Sequence, residues 1–377
     1  MTKHERIILD KLTEDPMLSQ SELAAMLGLT RSSISVYISH LMQEGYIRGR
    51  GYVLDNQKTV YVIGTSSIDY RTVVDQDTPL FSSHTAIVED QELTVSYGGI
   101  AKNIGESMTR LGHSISCISA IGSDSLGGEL LNEYRKLGIN VDNMLIVPAS
   151  RSSTYLELRS LDYSQVILGA ANMKLQLHLT PEFLTEKRYK LRHARAIIVE
   201  DSVPAETLQY VSSNYSPVFL TCSKTTRIQR YASFLGQFNG MIANLEIACR
   251  LTQRELPAPE DDGAVFAITA QLRRQINGPL LLCYGSDRFS YMGNGPVLLC
   301  QYSSPHKNSA LYAHYRDTVA ASFFHCLLEK MDGEALLKCA AACRDISARS
   351  IELTNHQLCP ELIADVISGK TFHFVSR

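Results

Sequence analysis

The sequence has no excess of basic residues, no long apolar run and no pair of cysteines at C-x-x-C spacing. Its 36 Lys and Arg residues against 39 Asp and Glu give a formal net charge of −3 over 377 residues. Any surface that binds nucleic acid must therefore be a local patch. With no apolar stretch of about 18 residues and no apolar segment at its start, we expect a cytoplasmic protein without membrane contact.

The nine cysteines predict reduced, buried thiols rather than a metal centre. They are Cys117, Cys222, Cys249, Cys283, Cys300, Cys326, Cys339, Cys343 and Cys359. Cys339 and Cys343 lie one helical turn apart in an alanine-rich segment, which is more typical of helix packing than of metal ligation. We therefore expect no metal site, in a chain that works in the reducing cytoplasm.

Residues 1–56 predict a small α+β domain of three short helices followed by a hairpin. Ser19 and Glu22 have the spacing of a capping box that starts the second helix, and Gly28 is suited to end it. In the third helix the apolar residues recur at i, i+4 and i+7. One face of that helix is therefore expected to pack inward while the opposite face stays exposed.

The side chains on the exposed face of the third helix are short and are either polar or small, so this face can lie close to base edges in a major groove. The hairpin tip carries two arginines that can enter a minor groove or contact phosphates. The residues predicted to contact DNA are Arg31, Ser32, Ser35, Val36 and Ser39 on the helix and Arg48 and Arg50 on the tip. An alternative is that this segment is a small helical protein-interaction module.

Two stretches of this segment resemble the winged helix-turn-helix domains of bacterial transcription regulators. They are L-S-Q-S-E-L-A-A-M-L-G-L-T-R-S-S-I-S at 18–35 and G-Y-I-R-G-R-G-Y-V-L at 45–54. The resemblance implies binding to double-stranded DNA. One copy would bind weakly, so we expect a homodimer that presents two copies about one helical turn of DNA apart.

Residues 57–377 predict an α/β domain with a mostly parallel sheet and helices on both of its faces. Short apolar strands recur along this part, and helical stretches lie between several of them. The predicted strands are Val60–Ile63, Ile115–Ala120, Ala196–Val199, Pro217–Leu220 and Leu280–Cys283. In such folds ligands bind at the carboxyl ends of the parallel strands.

Four ordered motifs of this second part resemble the ribokinase-like (PfkB) family of sugar and nucleoside kinases. They are Tyr97–Gly112, which reads Y-G-G-I-A-K-N-I-G-E-S-M-T-R-L-G, then Gly64 with Asp69, Ile121–Leu131 and Ser153–Tyr155. The resemblance implies a ribokinase-like fold with a small β lid, expected around residues 86–98 and 150–168. The form G-G-I-A-K-N is more similar to nucleoside and pseudouridine kinases than to ribokinase.

The resemblance also implies that Asp69, Gly98, Gly99 and Asn103 hold the substrate. Asp69 offers two acceptors for the paired hydroxyls of a sugar, and Asn103 brings both a donor and an acceptor. The two glycines let backbone N–H groups approach a ligand closely. Ser67 stands where the family often has asparagine. The structural alternative is a surface carboxylate beside a glycine turn that begins a helix.

The catalytic signature of the family, D-T-x-G-A-G-D-x-F, is degenerate in this sequence. Its glycines expose N–H groups at a helix N-terminus for the transferring phosphoryl group, and its last Asp takes the proton of the attacking hydroxyl. Aligned without gaps, Val319–Ser322 stands in place of G-A-G-D, so Ser322 occupies the expected catalytic Asp position. No catalytic residue is therefore expected, and Asp317 is expected in the loop before the helix.

Three other motifs on the nucleotide side depart from the family as well. The motif N-x-x-E is represented by Asn244–Ile247 with its acid one place early, G-x-x-G by Gly285–Arg288, and D-x-V-S by Thr221–Lys224. Beside the better matched substrate motifs, these changes predict a domain that binds a ligand without transferring phosphate.

The leading hypothesis is a DNA-binding transcription regulator whose kinase-like domain binds a sugar or nucleoside as its effector and needs no cofactor. The alternative is an active nucleoside or sugar kinase fused to a DNA-binding domain. That enzyme would use ATP and Mg²⁺ and would need Asp317 or another acid as its base. A third interpretation is an interaction scaffold in which both sites are vestigial.

Overall fold

The computed structural model describes residues 1–47, 59–74, 92–161, 166–304, 315–350 and 352–377. The predicted hairpin tip with Arg48 and Arg50, and residues 86–91 of the expected lid, lie outside the described residues. Among the helices that are described, none is long and apolar enough to cross a bilayer.

The helices and strands are numbered along the chain. The helices are α1 (Lys3–Glu14), α2 (Gln20–Leu27), α3 (Arg31–Gln43), α4 (Ile100–Arg110), α5 (Ser125–Lys136), α6 (Pro181–Glu186), α7 (Arg188–Arg192), α8 (Ala205–Asn214), α9 (Leu245–Thr252), α10 (Asp262–Arg273), α11 (Tyr315–Leu328), α12 (Gly333–Ser347) and α13 (Pro360–Ser368). The strands are β1 (Val60–Ile63), β2 (Ser67–Val74), β3 (Thr94–Gly98), β4 (Ile115–Ile118), β5 (Ala120–Gly122), β6 (Leu145–Val147), β7 (Thr154–Ser160), β8 (Val166–Asn172), β9 (Ala196–Glu200), β10 (Val218–Thr221), β11 (Met241–Asn244), β12 (Leu280–Tyr284), β13 (Arg288–Met292), β14 (Leu298–Tyr302) and β15 (Phe372–Ser376).

Helices α1, α2 and α3 pack around a small apolar core of their own. The apolar residues of α3 at i, i+4 and i+7 are buried in it, as predicted. The capping box is also present, because Glu22 N donates to Ser19 Oγ at 3.2 Å and Ser19 N donates to Glu22 Oε2 at 2.7 Å. Gly28 follows α2 with a φ of +65°, a left-handed conformation that favours glycine.

A nine-stranded sheet in the order β15-β14-β13-β12-β11-β10-β9-β1-β4 forms the centre of the second part. Neighbouring strands from β4 to β12 are parallel, and β13, β14 and β15 add an antiparallel edge. Val60 and Val62 of β1 pack into one core with α4, α11 and α12, whereas Tyr61 and Ile63 pack into another with α8, α9 and α10. The predicted parallel sheet with helices on both faces is confirmed.

One predicted strand is divided in the structure. The segment Ile115–Ala120 was expected to be continuous, but β4 ends at Ile118 and β5 pairs with β6 outside the main sheet. An apolar run does not reveal where its pairing partner changes, because both pairings bury the same kind of side chain.

A separate four-stranded sheet in the order β3-β2-β7-β8 forms the lid sheet. Strands β3, β7 and β8 coincide with or adjoin the expected lid ranges, but β2 was not expected there. Asp69 lies within β2, where it is paired with Ser96 of β3 and with Tyr155 of β7. The carboxylate is therefore carried by the lid sheet itself.

The nine cysteines are unpaired, and all except the half-buried Cys359 are buried. Cys339 and Cys343 lie within α12 and contribute to its buried face, as predicted. Within the described ranges, no cluster of three or more His, Cys, Asp or Glu side chains has the arrangement of a metal site.

Replacing Phe324 with Ala should destabilise the part of the protein built on the main sheet. Phe324 of α11 is fully buried and stacks on Phe219 of β10 with ring centroids 5.6 Å apart. We expect a loss of roughly 3–5 kcal/mol in the free energy of unfolding, measured by urea denaturation. Leu256→Ala, at a side chain that is 61% exposed, is the control. Equal losses for the two variants would contradict the packing described for α11.

Candidate functional site

A cavity of about 320 Å³ lies between the lid sheet and the carboxyl ends of β1 and β9. Thr65 follows β1 and Glu200 ends β9, while the first turns of α4 and α11 complete the wall. The polar side chains that line it include Asp69, Arg71, Asn103, Tyr155, Glu157, Arg159, Glu200, Lys224, Arg227, Arg316 and Asp317. The cavity therefore brings together residues that are far apart in the sequence.

Asp69 is held by two neighbours on its own strand. Ser67 Oγ donates to Asp69 Oδ1 at 2.7 Å, and Arg71 Nη2 donates to Asp69 Oδ2 at 3.2 Å. Burial raises the pKa of Asp69, whereas Ser67 and Arg71 act in the opposite direction. A side chain at Gly98 would collide with this carboxylate, so Gly98 provides the space that Asp69 occupies.

Gly99 begins α4 with a φ of +96°. A Cβ at this position would lie 2.6 Å from the Cα of Ser66, so only glycine allows the turn to approach the end of β1 so closely. Thr65 anchors that turn, because its carbonyl accepts from Ala101 N at 3.1 Å. Thr65 N and Oγ1 both donate to Glu200 Oε2 at 2.8 Å. The start of α4 is thus fixed against two strand ends.

Asn103 and Asp317 join the first turns of α4 and α11. Asn103 Nδ2 donates to Asp317 Oδ2 at 2.9 Å. Asn103 is only 5% exposed, and its Oδ1 has no hydrogen-bond partner among the residues that the structure describes. Because a buried acceptor without a partner is costly, this oxygen is suited to receive a hydrogen bond from a ligand in the cavity.

The structure corrects the expected position of Asp317. Helix α11 already begins at Tyr315, so Asp317 lies in its first turn and lines the cavity, rather than lying in a loop before the helix. Ser322 is fully buried farther along the helix, where its hydroxyl donates to Val319 O at 2.7 Å, and it does not line the cavity. The alignment without gaps placed the helix start near Val319, about one turn later than the start of α11 in the structure. Because the family signature opens a helix, the start of α11 favours a register in which Asp317 takes the place of its acid.

In the register set by the start of α11, Arg316 directly precedes the acid and replaces the last glycine of G-A-G-D. Arg316 Nη1 donates to Ser223 O at 3.0 Å, and its Nε lies 3.9 Å from Asp317 Oδ1. Burial raises the pKa of Asp317, and the charge of Arg316 and the hydrogen bond from Asn103 oppose that rise. A guanidinium therefore stands beside the carboxylate where the family has no side chain.

Arg316 also lines a second cavity of about 280 Å³. Its other lining residues are Thr221, Cys222, Ile242, Ala243, Asn244 and Cys283, so none of the described residues that line it is acidic. The side chain of Asn244 accepts from Ile247 N at 2.8 Å and caps α9. Glu246, the acid of the displaced N-x-x-E motif, is exposed and is not among the residues that line this cavity.

The motif comparison missed the charged residues that the lid sheet and the segment after β10 contribute. Tyr155, Glu157 and Arg159 alternate along β7 and all three line the cavity, where the Glu157 carboxylate accepts a hydrogen bond from Arg159. Their period of two was the signal in the sequence that could have placed them on one face of a strand. Lys224 and Arg227 had no such signal, because after β10 they lie at the start of a short 3-10 helix, Thr225–Arg230, which shows no period of two.

The second candidate site is the exposed face of α3. Arg31, Ser32, Val36 and Ser39 are exposed, and Ser35 is half-buried. Arg31 lies in the first turn of α3, and the others lie away from its buried residues. The side chain of Val36 is 67% exposed, so the fold does not use it in its own core. This face is available for contact with DNA.

The comparisons with known proteins support a division of the chain into two kinds of module. The model of the pfkB family of carbohydrate kinases matches residues 57–274, and the model of winged helix-turn-helix DNA-binding domains matches residues 1–48.

The chain is also similar to individual proteins along most of its length. The uncharacterized sugar kinase YeiI of Escherichia coli K12 is 30% identical over 371 residues, which cover 97% of this chain and 98% of the relative. Pseudouridine kinase of the same strain is 27% identical over 314 residues, which cover 82% and 95% of the two chains. A carbohydrate kinase structure from Agrobacterium tumefaciens superposes with a TM-score of 0.70 at 16% identity over 85% of this chain and all of that one, which shows a shared fold.

The raised pKa of Asp317 predicts how its replacement by Asn changes the pH dependence of stability. The folded state holds the proton of this carboxyl more tightly than the unfolded chain, whose ordinary value is 3.8, so stability falls as the pH rises through that window. Asp317→Asn removes this loss. Its urea midpoint should rise relative to the parent as the pH increases from the ordinary value of 3.8.

The exposed Asp365→Asn on α13 is the matched control and should follow the parent at every pH. A difference between Asp317→Asn and the parent that stays constant across this range would contradict the burial of an ionisable carboxyl at this site.

Proposed function

Because this chain belongs to the pfkB family of carbohydrate kinases, we propose that it is a DNA-binding transcription regulator whose kinase-like domain binds a sugar or nucleoside as effector. The winged helix-turn-helix match provides the DNA-binding part of this proposal. The observation that carries the ligand part is the buried Oδ1 of Asn103, which has no partner among the described residues and lines the same cavity as the carboxylates of Asp69 and Asp317. Acceptors that converge in one cavity are suited to the hydroxyl donors of a polyol.

The nucleotide side of the cleft supports a role in sensing rather than phosphoryl transfer. Arg316 and its neighbour Tyr315 replace the small residues whose backbone N–H groups would receive the transferring phosphoryl group. The second cavity has no acidic lining residue among those described, and Glu246 is exposed elsewhere on α9. These residues therefore do not fit a magnesium-nucleotide complex, and the effector function needs no cofactor.

Ligand binding can reach the DNA-binding part in two ways. Lid closure would reposition β2, which carries Asp69, and coupling requires a ligand with different affinities for open and closed lids. Tyr46, which follows α3, contacts the second part directly: its hydroxyl donates to Tyr189 O at 3.4 Å, and its ring meets that of His193 at 5.1 Å. A movement of the second part would therefore shift the residues that follow α3.

We propose that the active form is a homodimer, since two helix-turn-helix copies are needed to read two half-sites. The outer face of the lid sheet supports this proposal. Val95, Leu156 and Leu168 are each between 43% and 51% exposed on three of its strands. A second copy of the chain would remove these apolar side chains from water.

A second candidate function is an ATP-dependent sugar or nucleoside kinase. The position of Asp317 favours it, since this carboxylate lies in the first turn of α11, lines the cavity and is hydrogen-bonded to Asn103. There it is placed to take a proton from a ligand hydroxyl. The large side chain of Arg316 and the lining of the second cavity argue against it.

The ligand proposal is tested by thermal unfolding with a panel of pentoses, hexoses and nucleosides, with and without magnesium-ATP. A bound effector at about 100 times its Kd should add about 2.7 kcal/mol to the free energy of unfolding. Asp69→Asn should remove most of that gain because it halves the carboxylate acceptors for the hydroxyls. Asp365→Asn, on the surface of α13, should keep it.

Formation of ADP with one of these ligands, lost in Asp317→Asn, would establish the kinase instead of the sensor. If no compound of the panel stabilises the protein and the protein does not bind DNA, both proposed functions are refuted. The interaction scaffold is then the remaining interpretation.

The DNA proposal is tested on a random duplex of about 30 base pairs, where only contacts to phosphates matter. Arg31→Gln should weaken binding and reduce the slope of log K against log salt by about one, because one phosphate contact is lost. Lys136→Gln, which removes an exposed charge from α5 in the other domain, should leave the slope unchanged. Equal slopes for the parent and Arg31→Gln would place α3 away from the DNA.

A further inference from the structure

The cavity wall that faces the second cavity carries a concentration of positive charge around Ser223. Arg316 Nη1 donates to the carbonyl of Ser223 at 3.0 Å, and Arg227 Nη1 donates to its hydroxyl at 2.7 Å. Lys224 is the next residue, and all three cationic side chains line the cavity. We call Lys224, Arg227 and Arg316 the cation cluster.

The cation cluster is held in place by a buried carboxylate. Asp201, which is fully buried, accepts from Ser223 N at 2.7 Å and from Ser223 Oγ at 2.6 Å, and from Lys224 N at 3.3 Å. Arg227 Nη1 lies 3.0 Å from the same carboxylate. Asp201 therefore fixes the turn that carries the cluster, so the positive groups are preorganised on the wall.

The positive charges of the cation cluster are not fully balanced by ion pairs with acidic side chains. Of its lining residues, Arg71 pairs with Asp69, Arg159 with Glu157, and Arg227 with Glu200 and Asp201. Arg316 has only the distant Asp317 carboxylate at 3.9 Å, and no described acid forms an ion pair with Lys224. Burial also raises the pKa of Asp317 and of Glu200, which weakens the negative side of this balance.

We infer that the ligand is a phosphate monoester of a polyol, such as a phosphorylated sugar or nucleoside, whose phosphate is held by Arg316 and Lys224. Its hydroxyls donate to Asp69 and to the Oδ1 of Asn103, which has no partner among the described residues. Arginine matches the oxygens of a phosphate with two parallel donors, which a neutral sugar cannot use. This inference rests on the proposed effector function and specifies the chemical class of that effector.

The position of the phosphate follows from the two cavities. Arg316 is the residue that lines both, so its guanidinium stands at the boundary between them. A phosphate bound there would lie beside the first turn of α11, whose N–H groups add positive potential. The protein would therefore recognise the product of a kinase rather than the substrate of one.

The test measures binding by calorimetry with the full chain and five probes: ribose, ribose 5-phosphate, uridine, uridine 5′-monophosphate and inorganic phosphate. At least one phosphorylated probe should bind about tenfold or more tightly than its parent compound. Arg316→Gln should abolish this preference, and Arg316→Lys should keep part of it. Arg250→Gln, which removes an exposed charge from α9 outside both cavities, should behave like the parent protein.

The outcomes separate this inference from the function on which it rests. Equal affinity for phosphorylated and unphosphorylated probes would overturn the inference and leave the effector function standing. A preference that persists in Arg316→Gln would overturn the placement of the phosphate, and tight binding of inorganic phosphate alone would show a general anion site instead. Binding of none of the organic probes would count against the effector function itself.

Discussion

The hydrogen bond from Asn103 to Asp317, at 2.9 Å, is the contact on which the candidate site depends. It joins the N-terminal turns of α4 and α11, whose residues lie 214 positions apart in the sequence. Other contacts hold each helix against the main sheet. Gly99 packs closely beside the end of β1 at the start of α4, and Phe324 of α11 stacks on Phe219 of β10. Because both helix starts are held, the polar atoms that face the cavity are presented in one defined arrangement.

The same cavity shows how the fold accommodates several buried charges. Carboxylates removed from water are costly unless they receive hydrogen bonds or opposite charges. Asp69 has both, from Ser67 and Arg71, and the pKa of Asp317 is raised by burial despite Arg316 and Asn103. The Oδ1 of Asn103 has no partner among the described residues. A ligand hydroxyl that donates to it would offset the free-energy cost of burying this acceptor.

The misplacement of the catalytic position has a local physical cause. Matching D-T-x-G-A-G-D-x-F letter by letter favoured Asp317-Thr318 or Ser322 as landmarks, because the glycines that normally mark the helix start are absent. Without them, the letters of the signature do not show where α11 begins. In the structure Val319 and Ser322 are buried in the core, whereas Asp317 lines the cavity.

The group Asp69, Gly98, Gly99 and Asn103 was predicted through the resemblance to the PfkB family. The sequence by itself determined the helix caps of the N-terminal domain and the parallel sheet covered on two faces. These features follow from local spacing or periodicity, which a linear pattern retains. The tertiary structure alone decided that Asp317 joins this group and that Arg316, Lys224 and Arg227 gather around Ser223. Such groupings arise when distant strand ends meet at one edge of a sheet, and that proximity has no trace in the order of the residues.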